Sequence, residues 1–179
     1  GVLWTRRAAV LNPPLGGAGQ ERGTRPGTVN PQGAAGTAAA LAEAVSQMQD
    51  EHDRLAGYQR RLLAVVRSIP DPVIHTDTGT DTGTGALPSH VHASFPGAEG
   101  DSLIMLLDAA GVDASTGSAC SAGVNRASHV LTAMGVDVPT ARGALRLTTG
   151  PATTDKDIDR LCALLPGVVD QARAAGMAY

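Results

Sequence analysis

Aromatic side chains are nearly missing from this chain, with one Phe, one Trp and two Tyr in 179 residues. A core has to be assembled from Leu, Val, Ile, Met and Ala, without the rings that usually dominate buried area. Lysine is scarcer still: Lys156 is the only one, and the other strong cations are arginines. Two cysteines, Cys120 and Cys162, allow at most one disulfide, which excludes a disulfide-stapled framework. No apolar run approaches the roughly 20 residues of a membrane span, and no secretory signal pattern is seen. A cytoplasmic chain with both thiols reduced is therefore expected. The formal charge of −3 offers no basic excess for nucleic acid or an anionic membrane surface.

Against this background the run Ser115-Thr116-Gly117-Ser118-Ala119-Cys120-Ser121-Ala122-Gly123 stands out. Structural cysteines pack among bulky apolar neighbours, whereas Cys120 lies among small residues suited to an exposed loop. A thiolate there can meet a substrate; a tolerated surface thiol fits the same flanks. A second segment, Gly16 to Thr28, mixes glycines with Arg22, Arg25 and threonines just before a long helix. Close backbone approach, charge and a helix N-terminus suit a phosphate. An ordinary tight turn fits the glycines too.

The remaining pattern alternates helices with strands. Residues 1–7 read as a strand and 8–30 as an irregular connection. From Gln32 to Ser68, Leu41, Val45, Met48, Leu55, Leu62 and Val66 recur at threes and fours, predicting an amphipathic helix with a bend near Gly57. His52 falls on that stripe as a core or boundary histidine, and Arg60 and Arg61 on its solvated face. Val73-Ile74 starts a short strand before the repeated Thr-Asp-Thr-Gly at 76–83, a loop tip. Asp77 and Asp81 lack EF-hand spacing, so no metal is expected. Val91, Ala93 and Phe95 alternate as a half-buried strand. Residues 101–110 form a helix ended by Gly111, and 112–114 a brief strand. A further helix spans 127–134, closed by Gly135, and a strand spans 143–148. Thr154 caps a last helix with Leu161, Leu164, Val168 and Val169 inward, interrupted at Pro166. Cys162 sits among those leucines as packing. An α/β chain is predicted.

Four segments in order resemble the cysteine desulfurases, pyridoxal-phosphate enzymes of the aminotransferase class V group. That family reads G-G-G-Q/H-E-R-G-x-R-x-G-T, then H-x-x-x-S-F-x-G-x-x-G, S-S-G-S-A-C and R-x-S-x-G. Here stand Gly17 to Thr28, His90 to Gly100, Ser115 to Cys120, and Arg146-Leu147-Thr148-Thr149-Gly150. The similarity runs from Gly1 to about Leu165 and is nearest to the NifS/IscS-like group I enzymes. Gly16, Ala18 and Pro26 depart from the usual loop. The resemblance implies the small C-terminal domain of a fold-type I enzyme (residues 51–179) joined by the long helix to an edge of the large domain (residues 1–50). The cofactor lysine of the family would lie upstream of the strand that residues 1–7 resemble. Lys156, between Asp155 and Asp157, has an ion-pairing setting rather than the desolvated one Schiff-base chemistry uses. The chain thus looks like the C-terminal half of a desulfurase, cut after that lysine.

The resemblance also implies roles. Pyridoxal phosphate makes the sulfur of L-cysteine electrophilic; the Cys120 thiolate attacks it and becomes a persulfide, and alanine leaves. Arg146 would grip the substrate carboxylate bidentately. Thr28 would donate to the cofactor phosphate of the other subunit of a homodimer, with Arg22 and Arg25 ordering the loop. The sulfur acceptor would be an iron–sulfur scaffold or a tRNA-thiolation enzyme. Alone, the chain is expected to be inactive. A non-catalytic sulfur-carrier or interaction module using Cys120, or an inactive truncated relic, are the alternatives.

Overall fold

A computed structural model of the chain describes residues 2–13, 15–76, 85–117 and 127–176. Cys120, Asp77 and Asp81, and with them the expected loop tip, lie outside the described residues. The chain divides into two compact units, Gly1–Gln49 and Asp50–Tyr179.

In the first unit, residues 2–6 form no strand, contrary to expectation. A strand needs a backbone paired with another strand, and the backbone bond seen there among the described residues, Ala9 N to Arg6 O, closes a local turn instead. Val2, Leu3 and Trp4 are exposed. The glycine-rich segment contains a single 3-10 turn at Glu21–Gly23. Helix α1 (Pro31–Ser68) starts where Asn30 accepts from the Gly33 N–H at 2.8 Å, with Pro31 in the first helical position. It is assigned as one helix through Gly57, without the expected break. Its apolar stripe divides: Leu41, Val45 and Met48 are exposed, whereas Leu55, Tyr58, Leu62, Leu63 and Val66 are buried.

The second unit is built on an antiparallel sheet in the order β1 (Val73–Ile74), β2 (His90–Ser94), β3 (Ala144–Thr148). Pairing is Val91 with Leu147 and Ala93 with Leu145, so these four share the buried face. Against that face lie the second part of α1, α2 (Gly100–Ala109) and α5 (Asp155–Gly176). Leu103, Leu107, Ile158, Leu165 and Val169 fill the core, with Phe95 and Tyr58 as its buried rings. Helix α5 passes through Pro166 instead of breaking there. Leu165, Val168, Val169 and Ala172 continue one buried face across it, and that burial outweighs the lost backbone bond. Leu165, rather than Leu164, is fully buried.

Other expectations shift in detail. The brief strand at 112–114 reduces to one bridge, Ser115 with Arg146. Helix α3 (His129–Ala133) begins at Ser128, whose side chain accepts from Leu131 N. A second short helix, α4 (Val138–Arg142), was not expected; Asp137 caps it by accepting from Thr140 N at 2.9 Å. Arg61 is not merely solvated, since it bridges α1 to Asp155 and Asp159 of α5. His52 is exposed beside Asp53 rather than in the core. Thr154 caps α5 as predicted, with its hydroxyl facing Asp157 N and the Asp157 carboxylate accepting from Thr154 N at 2.8 Å.

Candidate functional site

The face of the sheet away from the core carries the polar residues. Because pairing partners project to one side, His92 and Arg146 stand together there, as do His90 with Thr148 and Ser94 with Ala144. Helices α3 and α4 cover the Ala144 end through Leu131 and Ala141. Continuing the β1–β2 register one residue brings His75 beside His92, with ring centroids 5.1 Å apart. On the far side of β3, Arg146 N donates to Ser115 O at 2.6 Å and Ser115 N to Arg146 O at 3.2 Å. One row therefore crosses the sheet: His75, His92, Arg146, Ser115. It joins three of the four sequence segments singled out above.

Glycines in those segments permit this closeness. A Cβ on Gly100 would stand 2.7 Å from Thr116 Cγ2 and 3.0 Å from Arg142 O. On Gly143 it would stand 2.3 Å from Phe95 O, where the strands β2 and β3 leave the sheet. The start of α2, the segment approaching Cys120 and the root of β3 thus meet at glycine.

Arg146 is exposed and makes no ion pair among the described residues. An arginine fork without an acid is ready for a carboxylate or phosphate. His92 is the most perturbed titratable group nearby: burial, then His75 and Arg146, push its pKa down to about 4. Burial also lowers His75, whose Nε2 lies 2.8 Å from Ser94 Oγ. The segment after β3 is held from α1. Arg54 binds Glu51 at 2.7 Å and donates to Gly150 O at 3.0 Å and Thr153 O at 2.7 Å. Neither Arg54 nor the histidine pair is singled out by the sequence patterns. The alternation of His90 and His92 with Val91 and Ala93 was the available signal for the second face. A cavity of about 330 Å³ opens elsewhere, bounded by Leu62, Leu147, Asp157 and Arg160, and none of the His92 row lines it.

The remaining sequence candidates are not gathered here. Cys162 packs partly buried against the core, and burial raises its thiol pKa, as a packing residue requires. Thr28 is exposed in the other unit. Arg25 donates to Gly27 O and Thr28 O at 2.9 and 3.0 Å, and Gly27 N to Gln20 Oε1 at 3.2 Å. These donors are spent within the loop. Lys156 is exposed in the first turn of α5. The described residues therefore do not fit covalent holding of pyridoxal phosphate. Among the described residues no group of His, Cys, Asp or Glu can hold a metal ion. No helix among them is long and apolar enough to cross a membrane.

No family model matches the chain. It is 43% identical over 179 residues to the "IscS-like cysteine desulfurase" of Mycobacterium tuberculosis, covering 99% of this chain and 44% of that protein. To "Cysteine desulfurase IscS 1" of Archaeoglobus fulgidus it is 36% identical, covering 100% and 46%. Among solved structures, a "NifS-like protein" superposes with a TM-score of 0.75 at 27% identity, over 94% of this chain and 41% of that one. The small antiparallel sheet with its long helix is thus the mixed α/β architecture of part of a NifS-like protein. The chain is a homologue of the IscS/NifS-like cysteine desulfurases, and it spans less than half the length of the relatives it matches.

Proposed function

We propose that this chain is the C-terminal, substrate-gripping and sulfur-accepting portion of a pyridoxal-phosphate-dependent cysteine desulfurase. In this reading L-cysteine becomes L-alanine and its sulfur is taken up on Cys120. One observation carries it: the Ser115–Arg146 bridge sets an arginine with no ion pair among the described residues beside the segment that leads to Cys120. Arg146 holds the substrate carboxylate and so orients the amino acid. The adjoining segment supplies the thiolate that takes the sulfur as a persulfide. Passage to an acceptor protein, homodimer formation and the Thr28–phosphate contact complete the proposal. The family resemblance supports them.

The test is a graft. Residues 1–179 replace the matching portion of the Mycobacterium tuberculosis relative, and alanine formation from L-cysteine is measured. The graft should be active, and Cys120→Ala should abolish alanine release while cofactor absorbance persists. Arg146→Met should raise KM roughly 10- to 100-fold, the worth of a charged hydrogen-bonded grip. An active graft that keeps its rate with Cys120→Ala would remove Cys120 from the chemistry. The ungrafted chain with added pyridoxal phosphate should form no alanine, for want of an amine placed to hold the cofactor.

A further inference from the structure

Folding leaves one polar atom of the His92–Arg146 row without a partner. Nε2 of His92 is buried and makes no hydrogen bond, a costly state that native structures usually avoid. The main chain of His92 is nonetheless firmly held. Its backbone N–H donates to Thr76 Oγ1 at 2.6 Å, and its carbonyl accepts from His75 N at 2.9 Å. The His75 ring lies at 59° to the His92 ring, anchored in turn on Ser94. The edge bearing Nε2 faces Gly117, where φ is +79° and a Cβ would stand 3.4 Å from that nitrogen. Lacking a side chain, Gly117 can approach this edge closely. Arg146, the cross-strand partner, has no acidic partner among the described residues.

We propose that His92 is a second binding residue of the carboxylate site headed by Arg146, its Nε2 hydrogen-bonding the carboxylate that the guanidinium holds. This rests on Arg146 holding a carboxylate, as proposed above. A buried nitrogen without a partner and an exposed guanidinium with no acid among the described residues, placed side by side by strand register, then share one ligand, and the orphaned nitrogen has a function. The groups that bear on the ring's charge are His75, extending β1, and Arg146 on β3. Ser115, Thr116 and Gly117, which cross nearby, bring no ionisable side chain. Unliganded, these surroundings favour the neutral imidazole. A bound carboxylate reverses the balance by setting a negative charge against the ring. By linkage, carboxylate binding and proton uptake at His92 must then reinforce each other by the same factor.

The experiment is an NMR titration of the full chain with propionate, following the His92 imidazole and the Arg146 guanidinium. Propionate should move both signals and raise the His92 midpoint by roughly one pH unit. Equivalently, once propionate's own protonation over the same range is allowed for, its anion should bind roughly tenfold more tightly to the protonated than to the neutral His92 form. His92→Phe should weaken binding at neutral pH roughly tenfold, and His92→Gln, which keeps an N–H donor, should restore most of it. Arg146→Met should abolish the His92 change. If propionate moves Arg146 but leaves the His92 midpoint unchanged, His92 is no part of the site and the carboxylate reading of Arg146 survives. If neither signal moves, the carboxylate site is wrong and the role of His92 falls with it.

Discussion

The residues that matter most are polar groups held on the outer face of a small sheet. His92 shows how burial and neighbours act together. Its folded pKa, near 4, lies below the ordinary value of 6.5, so the unfolded chain takes up its proton first. Stability should therefore fall as pH drops from about 6.5 towards 4, and level off below that. After discounting for solvent screening of a half-exposed ring, the loss should be on the order of 1–2 kcal/mol. Chemical denaturation across that range should show the slope in the native chain and a flatter one in His92→Gln; equal slopes would dismiss His92 as its source. Arg54 illustrates a different role. Its contacts to Gly150 and Thr153 tie the segment after β3 to α1. Arg54→Ala should accelerate hydrogen exchange across 150–154 while leaving β2 protected, and unchanged exchange there would dismiss the tie.

Among the elements, the glycine contacts explain why certain segments read as they do. Gly143 approaches Phe95 O more closely than any Cβ allows, so Gly143→Ala must shift β3 against the residues following β2. A loss of about 1–3 kcal/mol is expected, as for other overpacked sites. Thermal unfolding measures it, and a neutral result would mean that the strands part there at no cost. The sequence signals behave unevenly at this scale. Strand β2 was readable because Val91, Ala93 and Phe95 alternate with polar residues, and their burial matches. Helix α4 was overlooked, though Asp137 before Pro139 is a start signal, because its five residues are too few for periodicity. Pro166 misled for the opposite reason: a local rule met a continuous buried face and lost.

For the whole molecule, two units of unequal construction emerge. Asp50–Tyr179 contains the sheet, the main buried cluster and the His92–Arg146 row. Residues 50–179 alone should therefore unfold cooperatively and keep the propionate response, whereas residues 1–49 alone should show no cooperative transition. Circular dichroism and NMR of the two fragments decide this; a molten 50–179 fragment would show that its core depends on the first unit. The exposed Leu41, Val45 and Met48 on the first part of α1 continue a stripe that is buried further along the same helix.

Sequence by itself determined most of the alternation of elements, the capping at Thr154, and the four ordered segments that resemble those of a desulfurase. Each of these is local: periodicity, turn chemistry and spacing act within a few residues. It also marked Cys120 and Arg146 as separate candidates. Tertiary structure alone decided that Arg146 stands beside Ser115 and opposite His92, that His75 joins the row, and that residues 2–6 pair with no strand among the described residues. Those facts depend on strand register and on which backbones find partners. Register is set by packing the apolar face, not by the polar residues that packing brings together on the other side.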